Sequence, residues 1–156
     1  MASNVFGNPV TDATLQAMPD YIGKEITATD RAHVALNMKN AENKAENARA
    51  FVENLKKRYG NGVSTLCLIY NATGGNLIFA GHRDWWGRIG ESPYPNRLEN
   101  GQWGAYLHVK TSGAATGSIA ACVYRGENAN GIARDWMLAW YNPWGRVFDN
   151  NRVSVT

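Results

Sequence analysis

The chain has 156 residues, 16 Lys+Arg against 13 Asp+Glu for a formal charge of +3, 44 % hydrophobic residues, six Trp and two Cys. A chain of this length buries about two-thirds of its unfolded surface as one domain; its hydrophobic share with many Trp and Tyr argues against disorder, and two Cys exclude a disulfide scaffold and an all-Cys zinc site. The mild charge lacks the basic stripe of a dedicated nucleic-acid binder, so no specific nucleic-acid partner is expected, and no apolar run of about 18 residues offers a transmembrane segment.

Residues 1–28 show little periodicity and read as an N-terminal extension over the surface, with a short strand near Glu25–Thr27. They lack the charged and apolar regions of a signal peptide, which leads to the expectation of a cytoplasmic protein. Residues 29–60 are predicted to form one amphipathic helix. Apolar or small residues recur at Val34, Met38, Ala41, Ala45, Ala48, Val52, Leu55 and Tyr59, in steps of four and three. Thr29 or Asp30 is the expected N-cap, and Gly60-Asn61-Gly62 follows a basic last turn, Lys56-Lys57-Arg58. The stretch from Asp30 to Tyr59 carries seven basic and four acidic residues, so it holds the whole net charge. Its stripe suits either a membrane or partner surface or the packing of a helix on its own sheet. The small centre at Ala41, Ala45 and Ala48 favours the second.

Residues 63–156 read as strands, and all six Trp fall there. Val63–Asn71 and Asn76–Ala80 flank Ala72-Thr73-Gly74-Gly75, a hairpin-like connection. Trp103–Lys110 alternates Trp103/Ala105/Leu107/Val109 against Gly104/Tyr106/His108/Lys110, the period of a half-buried strand. Ser118–Arg125 and Asp135–Asn142 are two further strands, and Val147–Val155 a last short one. Gly-rich turns without a second helical pattern indicate an antiparallel sandwich or partial barrel. The expected organisation is a single domain over residues 1–156.

Catalytic signatures are missing. There is no nucleophile elbow, Walker loop, H-E-x-x-H or dinucleotide-binding glycine motif. His33, His82 and His108 lie far apart, without metal-ligand spacing. His82-Arg83-Asp84 can bring an imidazole near a carboxylate, and a surface turn explains it equally well. Neither catalytic nor metal-binding residues nor a cofactor are therefore expected. Cys67 and Cys122 sit among apolar neighbours and read as reduced, buried thiols.

The aromatic clusters exceed what a generic domain needs. Trp85-Trp86-Gly87, Ser92-Pro93-Tyr94-Pro95 and Trp140-Tyr141-Asn142-Pro143-Trp144-Gly145 combine large rings with Gly/Pro turns. Adjacent rings on an extended strand point to opposite faces, so one of Trp85 and Trp86 is expected to be exposed or to fill a second pocket. The same holds for Trp140 and Tyr141. Exposed loop aromatics suit a sugar, a choline head group or a membrane interface, whereas bulky rings also serve to plug the ends of a small sandwich.

The stretches YGNGVSTLCLIYNATGGNL, DWWGRIGESPYPNRLENGQWGAYLHV, SGAATGSIAACVYRG and DWMLAWYNP resemble the plant family of 23 kDa jasmonate-induced proteins, over nearly the whole chain. A more distant resemblance is to the actinoporin-like β-sandwich of fungal fruit-body lectins and lipid-binding proteins. It is carried by the helix-then-strands order, by Thr116–Tyr124 and by the Trp140–Trp144 turn. The resemblance implies an actinoporin-like antiparallel β-sandwich with an N-terminal amphipathic helix packed on it. It also implies a non-enzymatic, jasmonate- or stress-induced defence protein that binds a glycan or phospholipid head group. In that likeness Pro143 matches a head-group-binding turn, while Tyr141 stands in place of a serine. The expected ligand-binding residues are Trp85, Trp86, Tyr94, Trp140, Tyr141, Pro143 and Trp144. A self-associating or protein-interaction module, as a homo-oligomer, is the competing expectation.

Overall fold

A computed structural model describes residues 3–145, 147 and 149–156. Two antiparallel sheets pack face to face, and a long helix covers the outer face of the first. The elements in order are β1 (Val5–Phe6), α1 (Asp12–Gln16), α2 (Ala28–Asn37), α3 (Lys44–Tyr59), β2 (Ser64–Tyr70), β3 (Leu77–Trp86), β4 (Arg88–Ile89), β5 (Arg97–Leu98), β6 (Trp103–Val109), β7 (Ser118–Glu127), β8 (Ala133–Asn142) and β9 (Arg152–Val155). In the first sheet β6 pairs along its length with β2, and β1 and β4 pair with the two ends of β6. The second sheet runs β5-β3-β7-β8-β9.

The mainly-β architecture with a helix on the sheet agrees with the expectation, but the helix is not continuous over 29–60. Glu42 and Asn43 take left-handed backbone angles, φ 59° and 53°, which break the chain into α2 and α3. Lys44 follows the break and is buried, its Nζ donating to the Gly101 carbonyl at 2.9 Å. The apolar stripe is thereby divided. Val34 and Ala35 pack with Val10 and Leu15, whereas Ala48, Val52 and Leu55 pack on Ala105, Leu107 and Val109 of β6. The N-cap is Thr27, not Thr29 or Asp30. Its side chain accepts from the Asp30 N–H, and the Asp30 carboxylate accepts from the Thr27 N–H, a reciprocal cap two to three residues earlier than expected.

Residues 1–28 are likewise more than a surface extension. Val5–Phe6 joins the first sheet, Val10 and Leu15 are buried, and Glu25–Thr27 forms no strand. The expected hairpin at 71–76 is instead a crossing between sheets, since β2 pairs with β6 and β3 pairs with β5 and β7. Asn71 holds it: the buried amide donates to the Gly75 and Leu98 carbonyls and accepts from the Thr73 N–H and hydroxyl. Strand β6 is buried on both faces rather than one. Its odd residues meet α3, and Tyr106 faces the second sheet among Ala120, Cys122, Tyr124 and Trp140. Covering by a helix on one side and a sheet on the other removes the solvent face that its alternation suggests.

Candidate functional site

Strand β3 ends in Trp85-Trp86, followed by Gly87, next to an irregularity in the ladder. Asp84 pairs with Ala120 and Trp86 with Ile119, so two residues of β3 stand opposite one step of β7. This bulge breaks strict alternation. Both Trp85 and Trp86 consequently lie outward, at 54 % and 52 % exposure, instead of one turning inward. Gly87, at φ +93°, carries the chain to the other sheet, where a Cβ would stand 2.3 Å from the Val109 carbonyl oxygen.

Trp86 forms one wall of a groove of about 250 Å³ with Ile119, Tyr141, Pro143 and Trp144. Its base is tight because Gly117 packs against Asn142, with no room for a side chain. Trp144 is 60 % exposed. Tyr141 stands between this groove and a second depression that contains Trp85, Ala139, Arg152 and Ser154. The Tyr141 hydroxyl donates to Asp149 at 2.9 Å, which pushes its titration upward, and the Arg152 guanidinium lies 6.0 Å from its ring. Arg83 lies 5.9 Å from the Trp85 ring. Five of the seven expected residues are thus gathered on the outer face of the second sheet.

Tyr94 and Trp140 are not among them. Each is only 6 % exposed and belongs to the core. Tyr94 stacks on Phe79 at 5.0 Å and meets Tyr106 at 4.8 Å, while Trp140 lies against Tyr106 and His108 at 5.8 and 5.2 Å. Trp140 faces inward for a simple reason: on β8 it shares parity with Trp136 and Leu138, the side that the first sheet covers.

Sequence reasoning missed a buried polar relay. His108 Nε2 lies 3.1 Å from Asp84 Oδ1 and Nδ1 2.8 Å from Ser118 Oγ; Ser118 Oγ lies 2.7 Å from Thr65 Oγ1, on which the Asn142 amide bears at 3.4 Å. The tautomer with Nε2–H donating to Asp84 lets each hydroxyl donate along the chain, from Thr65 to Ser118 to His108 Nδ1. Burial holds the His108 imidazolium below its usual range, with Asp84 offsetting part of that effect. These members suit a nucleophilic relay, but Ser118 and His108 are fully buried. No spacing signal marks them, because β3, β6 and β7 bring together residues 84, 108 and 118 only by pairing and stacking. Cys67 and Cys122 are free thiols, and burial pushes them up to about 12 and about 11. Among the described residues no helix is long and apolar enough to cross a membrane.

The family model described as Nakanori-like protein matches residues 6–155. The 23 kDa jasmonate-induced protein of Hordeum vulgare is 49 % identical over 145 residues, 92 % of this chain and 69 % of that protein. A jasmonate-induced protein homolog of Atriplex canescens is 32 % identical over 80 residues, 51 % of this chain and 42 % of that protein. The crystal structure of the lipid binding protein Nakanori superposes with a TM-score of 0.87 at 35 % identity, covering 97 % of this chain and 72 % of that one.

Proposed function

The chain belongs to the Nakanori-like protein family, and from that premise we propose that it is a non-enzymatic, jasmonate-induced defence protein that docks on lipid head groups through the Trp86–Tyr141–Pro143–Trp144 groove. The observation that carries this reading is the placing of three exposed Trp around Tyr141 on one sheet face, in a chain similar to a protein titled lipid binding. Indole and phenol rings combine an apolar body with a polar edge, which suits the boundary between acyl chains and head groups. A choline cation lies favourably over such a ring. The absence of catalysis is supported by the burial of Ser118 and His108, which keeps the relay from a substrate. Two free thiols support a reducing, cytoplasmic setting.

Flotation with phosphatidylcholine vesicles tests the assignment. Trp86→Ala and Trp144→Ala are each expected to lower partition by about tenfold, in keeping with the loss of one buried aromatic side chain. Unchanged partition of the double variant, or no partition of the parent protein, refutes the lipid reading. A glycan array bound with the same dependence on Trp144 moves the ligand from lipid to sugar, and pyranose stacking on the same rings then explains it.

Self-association is the second reading, favoured by β9. Among the described residues that strand pairs only with β8, and all four of its residues are exposed, including Val153 and Val155. An open apolar edge is a template for another strand. Sedimentation that shows one monomeric species at all concentrations eliminates it.

A further inference from the structure

Strand β2 is an open edge without the usual protection. Among the described residues it pairs only with β6, in unbroken register from Ser64 to Tyr70, and it contains no charged residue, proline or bulge. Those are the devices by which natural edges refuse another strand. Pairing with β6 uses odd-numbered residues: the Lys110 N–H donates to the Val63 carbonyl at 2.9 Å at one end, and the Asn71 N–H to the Gln102 carbonyl at 3.0 Å at the other. Leu66 and Leu68 therefore turn their N–H and C=O groups toward the free side. At Ser64 that side is already taken, because its carbonyl accepts from the Asn142 amide of β8 at 2.9 Å. The second sheet reaches one strand further. Strand β2 lies over β8, and β9 projects beyond it, leaving a cleft of about 470 Å³ between β2 and β8–β9. Val153 and Val155 stand opposite Trp140 and Leu138, which face the first sheet, so by parity they face the same way. They are nevertheless 79 % and 65 % exposed. Among the described residues the first sheet is thus one strand short above β9.

We propose that this position docks an extended segment of another protein, which adds as an antiparallel strand to β2 and covers Val153 and Val155. Leu66 and Leu68 each exchange two backbone hydrogen bonds with it, so the main chain supplies affinity and the alternate side chains supply selectivity. Residues opposite Cys67 and Ile69 face β9 and are apolar. Arg152 is the one charged side chain on the cleft among the described residues, and it pairs in register with Tyr141, next to the Asn142 that holds Ser64. The C-terminal end of an antiparallel segment lies there, so an acidic residue suits that end. A second copy of this chain does not fit edge to edge. Its own β8, stacked on its β2, would fall in the layer that β9 occupies. The gap is one strand wide, and a segment without a sheet of its own fills it.

The probe is the blocked peptide acetyl-Thr-Val-Thr-Val-Thr-Glu-amide, read by the backbone amide resonances of the ¹⁵N-labelled full chain. It is expected to shift the Leu66 and Leu68 amides saturably, with a Kd of about 1 mM. N-methylation of its third and fifth residues removes the two donors that face β2 and should weaken it about tenfold. Val153→Asp alters a side chain already open to solvent, so the fold is kept, and weakens the peptide about tenfold through the charge it sets beneath the added strand. Arg152→Glu weakens it about threefold, and a peptide that ends in Lys regains that loss. Trp144→Ala leaves peptide affinity unchanged whether or not the same variant loses vesicles, which separates this site from the aromatic groove. Four outcomes each overturn the proposal: no saturable shift, indifference to Val153→Asp, loss on Trp144→Ala, or equal binding of the N-methylated peptide, which marks an apolar cleft rather than a strand edge. A fifth is a shift of the Leu66 and Leu68 amides on raising protein concentration alone, which gives the edge to a second copy.

Discussion

Trp140 and Trp144 lie four residues apart and end in opposite surroundings. Trp140 sits in the seam between the sheets with Tyr94, Tyr106 and His108; Trp144 stands in solvent beside Trp86 and Pro143. Both belong to the same aromatic stretch, and residue type does not separate them. The difference teaches that coverage decides: the inner face of β8 meets a second sheet, whereas among the described residues no sheet or helix covers its outer face or the turn after it. The seam is consequently a stability element and the groove the proposed recognition element, and substitutions in each should affect different measurements.

The largest expected effect is on the seam. Trp140→Ala should destabilise the fold by about 3–5 kcal/mol, the range for removing a buried aromatic ring, as read from urea unfolding midpoints. A loss below about 1 kcal/mol would erase the distinction between the regions. Ser118→Ala comes next, at about 1–3 kcal/mol, because it strips a partner from buried His108 Nδ1 and from Thr65 at once.

A smaller loss should follow acidification. His108 has a folded-state titration below its usual value near 6.5, so the native state favours the neutral ring and the unfolded state binds the proton more readily. That contribution is complete above about pH 6.5 and declines as pH falls below it. Unfolding midpoints at pH 7.5 and 5.0 should differ in that direction, and an equal midpoint removes the seam's pH dependence. Smallest is Trp144→Ala, which should change stability by no more than about 0.5 kcal/mol while vesicle partition drops. A large change in its unfolding midpoint would show the groove to be part of the core.

Much of the fold was legible in the residues. Strands β2, β6, β7 and β8, the start of β3 and the helix ending at Gly60 follow from local period and capping. The break at Glu42–Asn43 was not, because the i, i+3, i+4 stripe passes through it unchanged and only the two different packing partners of α2 and α3 reveal it. Of the site, the outward Trp144 was legible from its Gly/Pro turn. That Trp85 and Trp86 are both outward was not, since a bulge cannot be read from alternation.

The sequence by itself determined the longer strands β2, β6, β7 and β8 and the helical stretch before them, where the charge concentrates and which stretches hold the rings, because these follow from patterns two to four residues apart. Tertiary structure alone decided which rings are buried, that β2 and β3 part into different sheets, and that Asp84, His108 and Ser118 meet. Those outcomes depend on pairings between residues far apart in the chain. A side chain's exposure is set by what lies across from it, and in a sandwich that is the opposite sheet rather than the next residue.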